Sequence, residues 1–138
     1  MSNHPVIIID DDHEDIDLMK QAFETINFKD EIIVFDDSTK ALKYLTNLDV
    51  QPLFILCDVN MHQLNGIALR QALFANEVHR MKTIPFLFLS TSDAPPHIRI
   101  AYSLCAQGYF IKPNNFFDLT ELLKSIVNYW QRCRHPNT

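Results

Sequence analysis

The sequence has no surplus of positive charge: 12 Lys and Arg stand against 17 Asp and Glu, a net charge of -5. Holding nucleic acid by its phosphates takes clustered Lys and Arg, so a bare electrostatic grip on nucleic acid is excluded. Cysteine is scarce as well. Cys57, Cys105 and Cys133 are an odd number at wide spacings, match no zinc or redox motif, and read as reduced cytosolic thiols. No apolar run approaches the length that spans a bilayer, and the first residues lack the charged, apolar and small-residue succession of a secretory leader. The expectation is a cytoplasmic protein without membrane contact. Repeats, low-complexity tracts and linkers are also missing, so residues 1–138 are expected to form a single domain with its own core.

Several short apolar runs, each stopped abruptly by polar residues, dominate what is present. FILC ends at Asp58, VIII ends at Asp10, Asp11 and Asp12, PFLFL ends at Ser90, Thr91 and Ser92, and GYFI ends at Lys112. A carboxylate at the mouth of a buried strand is costly unless something there uses its charge. If the runs are parallel neighbours, their C-terminal ends bring acids, a hydroxyl and an amine to the edge where open α/β sheets place their chemistry.

Between the runs the apolar spacing changes from strand to helix. Val6–Ile9 and Glu31–Phe35 read as strands, Pro52 opens the strand leading to Asp58, Pro85 starts a fourth, and Tyr109–Ile111 is a short fifth. Ile16, Met19, Phe23 and Ile26 mark a first helix capped by Asp12, and Ala41, Leu42, Leu45 and Leu48 a second, capped by Asp37 or Ser38. A third passes through Leu69, Leu73 and Phe74 after a turn in which Asn65 and Gly66 supply tolerance of unusual backbone angles. Pro95 and Pro96 open a fourth helix carrying Ile98, Ala101, Leu104 and Cys105, and the fifth has the stripe Leu119, Leu122, Leu123, Ile126, Val127 and Trp130. Five strands alternating with five helices predict a doubly wound α/β domain with helices on both faces of a parallel sheet. About eight residues remain beyond the last helix, too few for a DNA recognition helix.

Asp10, Asp11 and Asp58 at one edge repel one another unless a cation intervenes. Mg²⁺ suits hard oxygen ligands and commonly takes one or two carboxylates together with phosphate oxygens. A metal beside a carboxylate nucleophile fits phosphoryl transfer, with Lys112 as a compact positive donor and Ser90 as a hydroxyl for a phosphoryl oxygen. The bland reading of a lone strand-end Asp is a cap or turn residue, and for Asp12 it is the better one. For Asp58 it fails, because the other polar groups end other strands.

In the order acid pair, acceptor, hydroxyl and Lys-Pro, the chain resembles the receiver domains of two-component response regulators over residues 4–130. The resemblance implies a flavodoxin-like (βα)5 fold of strand order 2-1-3-4-5 without an output domain. It implies that Asp58 accepts a phosphoryl group from a histidine kinase or phosphotransfer protein, and that Asp10, Asp11, Asp58 and the backbone carbonyl of Asn60 hold Mg²⁺. Ser90 is then the switch hydroxyl, Tyr109 the switch aromatic, Lys112 the phosphate partner and Lys112–Pro113 a cis peptide bond. Conventional turnover is not expected, only self-phosphorylation from a phosphodonor and autodephosphorylation. STSD from Ser90 and NYW through Trp130 resemble the single-domain receivers that partner phytochrome-type and hybrid kinases, which implies a downstream protein target and a monomer or homodimer.

The chain departs from the family pattern at three places. His62 stands where proline is usual, which predicts a looser loop; Thr91 follows the switch hydroxyl in place of a small residue; and Cys105 takes a position where glycine is common. Two other functions fit parts of the pattern. Asp10 and Asp12 form the D-x-D of haloacid-dehalogenase-type phosphohydrolases, although His13 and Glu14 follow where Gly and Thr are usual. A pseudo-receiver that binds a partner without being phosphorylated is the third reading.

Overall fold

The structure is a computed structural model that describes residues 4–75 and 83–134. In chain order its elements are β1 (Val6–Ile9), α1 (His13–Thr25), β2 (Ile32–Phe35), α2 (Ser38–Thr46), β3 (Phe54–Cys57), α3 (Gly66–Ala75), β4 (Phe86–Ser90), α4 (Pro95–Ser103), β5 (Gly108–Ile111) and α5 (Phe116–Arg132). All strand pairs are parallel, in the order β2-β1-β3-β4-β5. The doubly wound prediction holds.

Side chains that alternate along each strand divide the core in two. Ile7, Ile9, Ile55, Cys57, Phe86 and Phe88 face α2, α3 and α4, where Ala41, Leu45, Leu69, Leu73 and Ala101 are buried against them. Val6, Ile8, Phe54, Leu56, Leu87 and Leu89 face α1 and α5. There Met19 and Phe23 meet Leu119, Leu123, Ile126 and Val127, with Leu122 and Trp130 partly buried at the margin. Burying a side chain such as Leu123 contributes about 1.5–3 kcal/mol relative to leaving it exposed. Helices on both faces explain why the central strands are apolar throughout rather than alternating.

Side chains at the helix ends start and stop them. Asp12 accepts from the Glu14 and Asp15 N–H groups at the head of α1, and Asp37 accepts from the Thr39 N–H at the head of α2. Asn115 does the same for α5 through the Asp118 N–H, while α4 has no side-chain cap and begins on its two prolines.

Three local expectations need correction. Neither Asn65 nor Gly66 has a positive φ. Asn65 instead accepts from the Ala68 N–H at 2.8 Å to cap α3, and Gly66 is required by close approach, because a Cβ there would overlap the Asp58 carbonyl oxygen. The fourth helix also stops earlier than its apolar spacing predicts. It ends at Ser103, and Cys105 sits exposed at φ 61° while the Ala106 N–H returns to the Ala101 carbonyl. Such a turn is commonly made by glycine, which matches the family pattern from which Cys105 departs. Similarly, α2 ends at Thr46, so Leu48 packs on the core from beyond the helix.

Arg70 was invisible to sequence reasoning. It is almost fully buried on α3, gives N–H bonds to the Leu104 carbonyl at 2.9 Å and the Cys105 carbonyl at 3.1 Å, and lies 5.0 Å from the Phe86 ring centroid. Burial lowers its pKa, but its two carbonyl partners and the ring face satisfy the charge. The guanidinium thus fixes the end of α4 and the turn into β5.

Candidate functional site

Register sets the site. Ile9 pairs with Cys57, so Asp10 and Asp58 leave adjacent strands at one level, where the strand order reverses between β1 and β3. Ser90 pairs with Ile111, so Lys112 follows one residue later on the neighbouring strand.

The Lys112 ammonium joins these ends. Its Nζ donates to Asp10 Oδ2 at 2.9 Å, Asp15 Oδ2 at 2.7 Å and Asp58 Oδ2 at 3.2 Å. Burial works against its charge, but the hydrogen bonds to Asp15 and Asp10 outweigh this and hold the pKa above the usual lysine value. The lysine stays protonated. Burial pushes the Asp10 carboxyl up to about 6, offset in part by the Asp12 N–H on Oδ1 and by Lys112. Asp58 is buried too, with Oδ1 accepting the Val59 N–H at 2.7 Å. Asp11 lies at the rim, where its Oδ2 accepts the His62 N–H at 2.8 Å. His62 itself is 96% exposed in its side chain, with Nε2 3.8 Å from the same oxygen. This backbone bond ties the β3–α3 loop to the acid run in the absence of the usual proline.

Ser90 is fully buried, and its Oγ accepts the Ser92 N–H at 3.1 Å. Tyr109 is half-buried against Phe88 and donates its hydroxyl hydrogen to the Ser92 carbonyl. Asn60 is exposed one residue past Val59. No peptide bond among the described residues is cis, so Lys112–Pro113 is trans, the lower-energy form for a bond into proline.

The structure therefore brings Asp10, Asp58 and Lys112 together, with Asp11 turned to His62 beside them. Among the described residues no three His, Cys, Asp or Glu side chains stand in metal-binding geometry. The donor chemistry nevertheless suits a hard cation: the ligand set is all oxygen, and the carboxylates outnumber the one ammonium. Sequence reasoning missed Asp15, because an acid in the first turn of α1 is what the helix dipole alone would favour. It also passed over Ser92, the meeting point of Ser90, Tyr109 and, through a 2.7 Å bond between Ser92 Oγ and Nδ1, His97. Asp12 spends its carboxylate capping α1, so the D-x-D arrangement of a phosphohydrolase is not delivered.

The model of the response regulator receiver domain matches residues 6–124. The chain is similar to the probable methanogenesis regulatory protein FilR2 of Methanothrix harundinacea, 29% identical over 129 residues that cover 91% of this chain and 82% of that protein. Among solved structures, response regulator RPA3017 in red light signaling of R. palustris is 26% identical with a TM-score of 0.84, over 97% of this chain and 99% of that one. The phosphorylated cyanobacterial phytochrome response regulator RcpA shares the fold with a TM-score of 0.88 at 24% identity, over 98% and 99% of the two chains.

Proposed function

The chain belongs to the response regulator receiver domain family, and on that premise we propose that Asp58 accepts a phosphoryl group from a histidine kinase or phosphotransfer protein. The observation that carries the reading is the Lys112 ammonium, hydrogen-bonded to Asp58 and Asp10 at the ends of three different strands.

One Asp58 oxygen attacks the phosphorus of a phosphohistidine. An O–P bond forms, the N–P bond breaks, and the imidazole nitrogen keeps the electron pair and takes up a proton from water. Negative charge on the transferred oxygens meets the Lys112 ammonium, and the Ser90 hydroxyl donates to one of them. Receiver domains as a class bind Mg²⁺ or Mn²⁺. Asp10, Asp11, Asp58 and the Asn60 carbonyl are the residues that would hold Mg²⁺, which when bound neutralises phosphoryl charge.

The signal then passes to a protein-interaction surface. Ser90, drawn toward the phosphoryl group, moves the loop that holds the Tyr109 hydroxyl and alters the face made by α4, β5 and α5. Similarity to RPA3017, a response regulator in red light signaling, supports a phytochrome-type or hybrid kinase as donor. The proposal further includes a downstream protein target and action as a monomer or homodimer. No described helix is long and apolar enough to cross a membrane, and we place the reaction in the cytoplasm.

Intact mass after incubation with Mg²⁺ and acetyl phosphate tests the reading. One phosphate on wild type and none on Asp58→Asn is expected; an equal adduct on both contradicts the assignment.

A further inference from the structure

We propose that Asp15 is the positioning residue of this site: it holds the Lys112 ammonium beside Asp58. The inference rests on the reading of Asp58 as phosphoacceptor for its effect on rate, but not for the contact itself.

A lysine ammonium has three N–H donors, and Lys112 spends one on each of three carboxylates. Asp15 makes the shortest of these bonds and comes from a different kind of element. Asp10 and Asp58 are fixed at strand ends, whereas Asp15 rides on the first turn of α1, where its own N–H is bound to the Asp12 cap at 3.2 Å. The helix head therefore sets where the ammonium sits along the sheet edge.

A reason for such a third hold lies beside the lysine. Lys112 and Asp15 both line a cleft of about 100 Å³ whose remaining walls include Leu18, Met19, Leu89, Pro113 and Phe116. A lysine side chain is long and flexible, and this open, largely apolar space is where its stem can turn. The bond to Asp58 is the longest of the three and does not hold the ammonium in place alone. With Asp15 in place, one N–H stays anchored on the α1 side while another remains aimed at the acceptor carboxylate. When the carboxylate becomes an acyl phosphate, that second N–H meets a phosphoryl oxygen without a prior search by the side chain.

Asp15 also contributes to the helix dipole, and Glu14 provides the control. It is an acid in the same first turn, is exposed, and has no hydrogen bond to Lys112. An effect on α1 alone moves both variants alike.

Asp15→Ala and Glu14→Ala are compared with wild type in two measurements. In the metal-free protein, the ¹H–¹⁵N correlation of the Lys112 ammonium reports how firmly its hydrogens are held. It is expected to be resolved in wild type and Glu14→Ala and lost to exchange in Asp15→Ala. With Mg²⁺ and saturating acetyl phosphate, Asp15→Ala is expected to phosphorylate about tenfold more slowly with an unchanged half-saturating donor concentration, and Glu14→Ala at the wild-type rate. An unchanged ammonium signal in Asp15→Ala, or an equal loss of rate in Glu14→Ala, overturns the proposal. If wild type takes up no phosphate, the reading of Asp58 fails, and the ammonium signal alone still decides whether Asp15 holds Lys112.

Discussion

Tyr109 donates its hydroxyl hydrogen to the Ser92 carbonyl at 2.7 Å, which ties β5 to the loop after β4. The same serine gives its N–H to Ser90, so the buried hydroxyl at the strand end and the aromatic ring on the next strand share one backbone unit. Tyr109→Phe removes one partly buried hydrogen bond and leaves the packing on Phe88 intact. The expected cost is about 0.5–1.5 kcal/mol by urea unfolding at an unchanged slope. Amide resonances of Ser92 should move with it. If they stay in place, the coupling between the loop and Tyr109 is wrong.

Gly66 lies where a side chain would overlap the carbonyl oxygen of Asp58. Gly66→Ala must displace the loop that carries Asp58, and overpacking of this kind costs about 1–3 kcal/mol. Phosphorylation from acetyl phosphate is expected to slow in the same variant. Wild-type stability together with the wild-type rate would show that the loop has room the structure does not provide.

Cys105 adopts a left-handed backbone at φ 61°. The conformation penalises any residue with a Cβ, and Cys105→Gly relieves it, less the entropy that glycine loses on folding. The expected gain is about 0.5–1 kcal/mol in urea unfolding. A loss of stability would mean that the thiol makes a compensating contact.

Asp37 caps α2 by accepting the Thr39 hydroxyl at 2.6 Å and the Thr39 N–H at 2.9 Å, and these bonds hold its carboxyl below the ordinary value of 3.8. Because the folded pKa is the lower one, the charged cap favours folding above the unfolded value. That contribution is lost as pH falls through the folded pKa. Melting temperatures of wild type and Asp37→Asn should differ by a constant amount near neutral pH and converge below pH 3.8. A gap that widens on acidification contradicts the cap assignment.

Much of the fold was legible because the chain marks its own strand ends. Ile9, Cys57 and Ile111 are each followed by a charged residue, and once the strands are parallel their register brings Asp10, Asp58 and Lys112 to one edge. The helix heads were legible for the same local reason, since Asp12 and Asp37 are good cap residues in the right place. What escaped depends on contacts between distant parts of the chain. Arg70 resembles a surface residue until the Leu104 and Cys105 carbonyls, just past the end of α4, are found on its guanidinium, and Asp15 resembles a helix-dipole acid until Lys112 arrives from the end of β5. The early end of α4 was hidden because Leu104 and Cys105 continue the apolar spacing past the point where the backbone turns.

Asp58, held by Lys112, is proposed as the residue that receives the phosphoryl group. Borohydride reduces an aspartyl phosphate to homoserine, so peptide mapping after phosphorylation and reduction marks the modified position directly. The expected result is homoserine at position 58 alone, and only when both Mg²⁺ and the phosphodonor were present. Homoserine at Asp10, Asp11 or Asp12, with Asp58 unchanged, would contradict it.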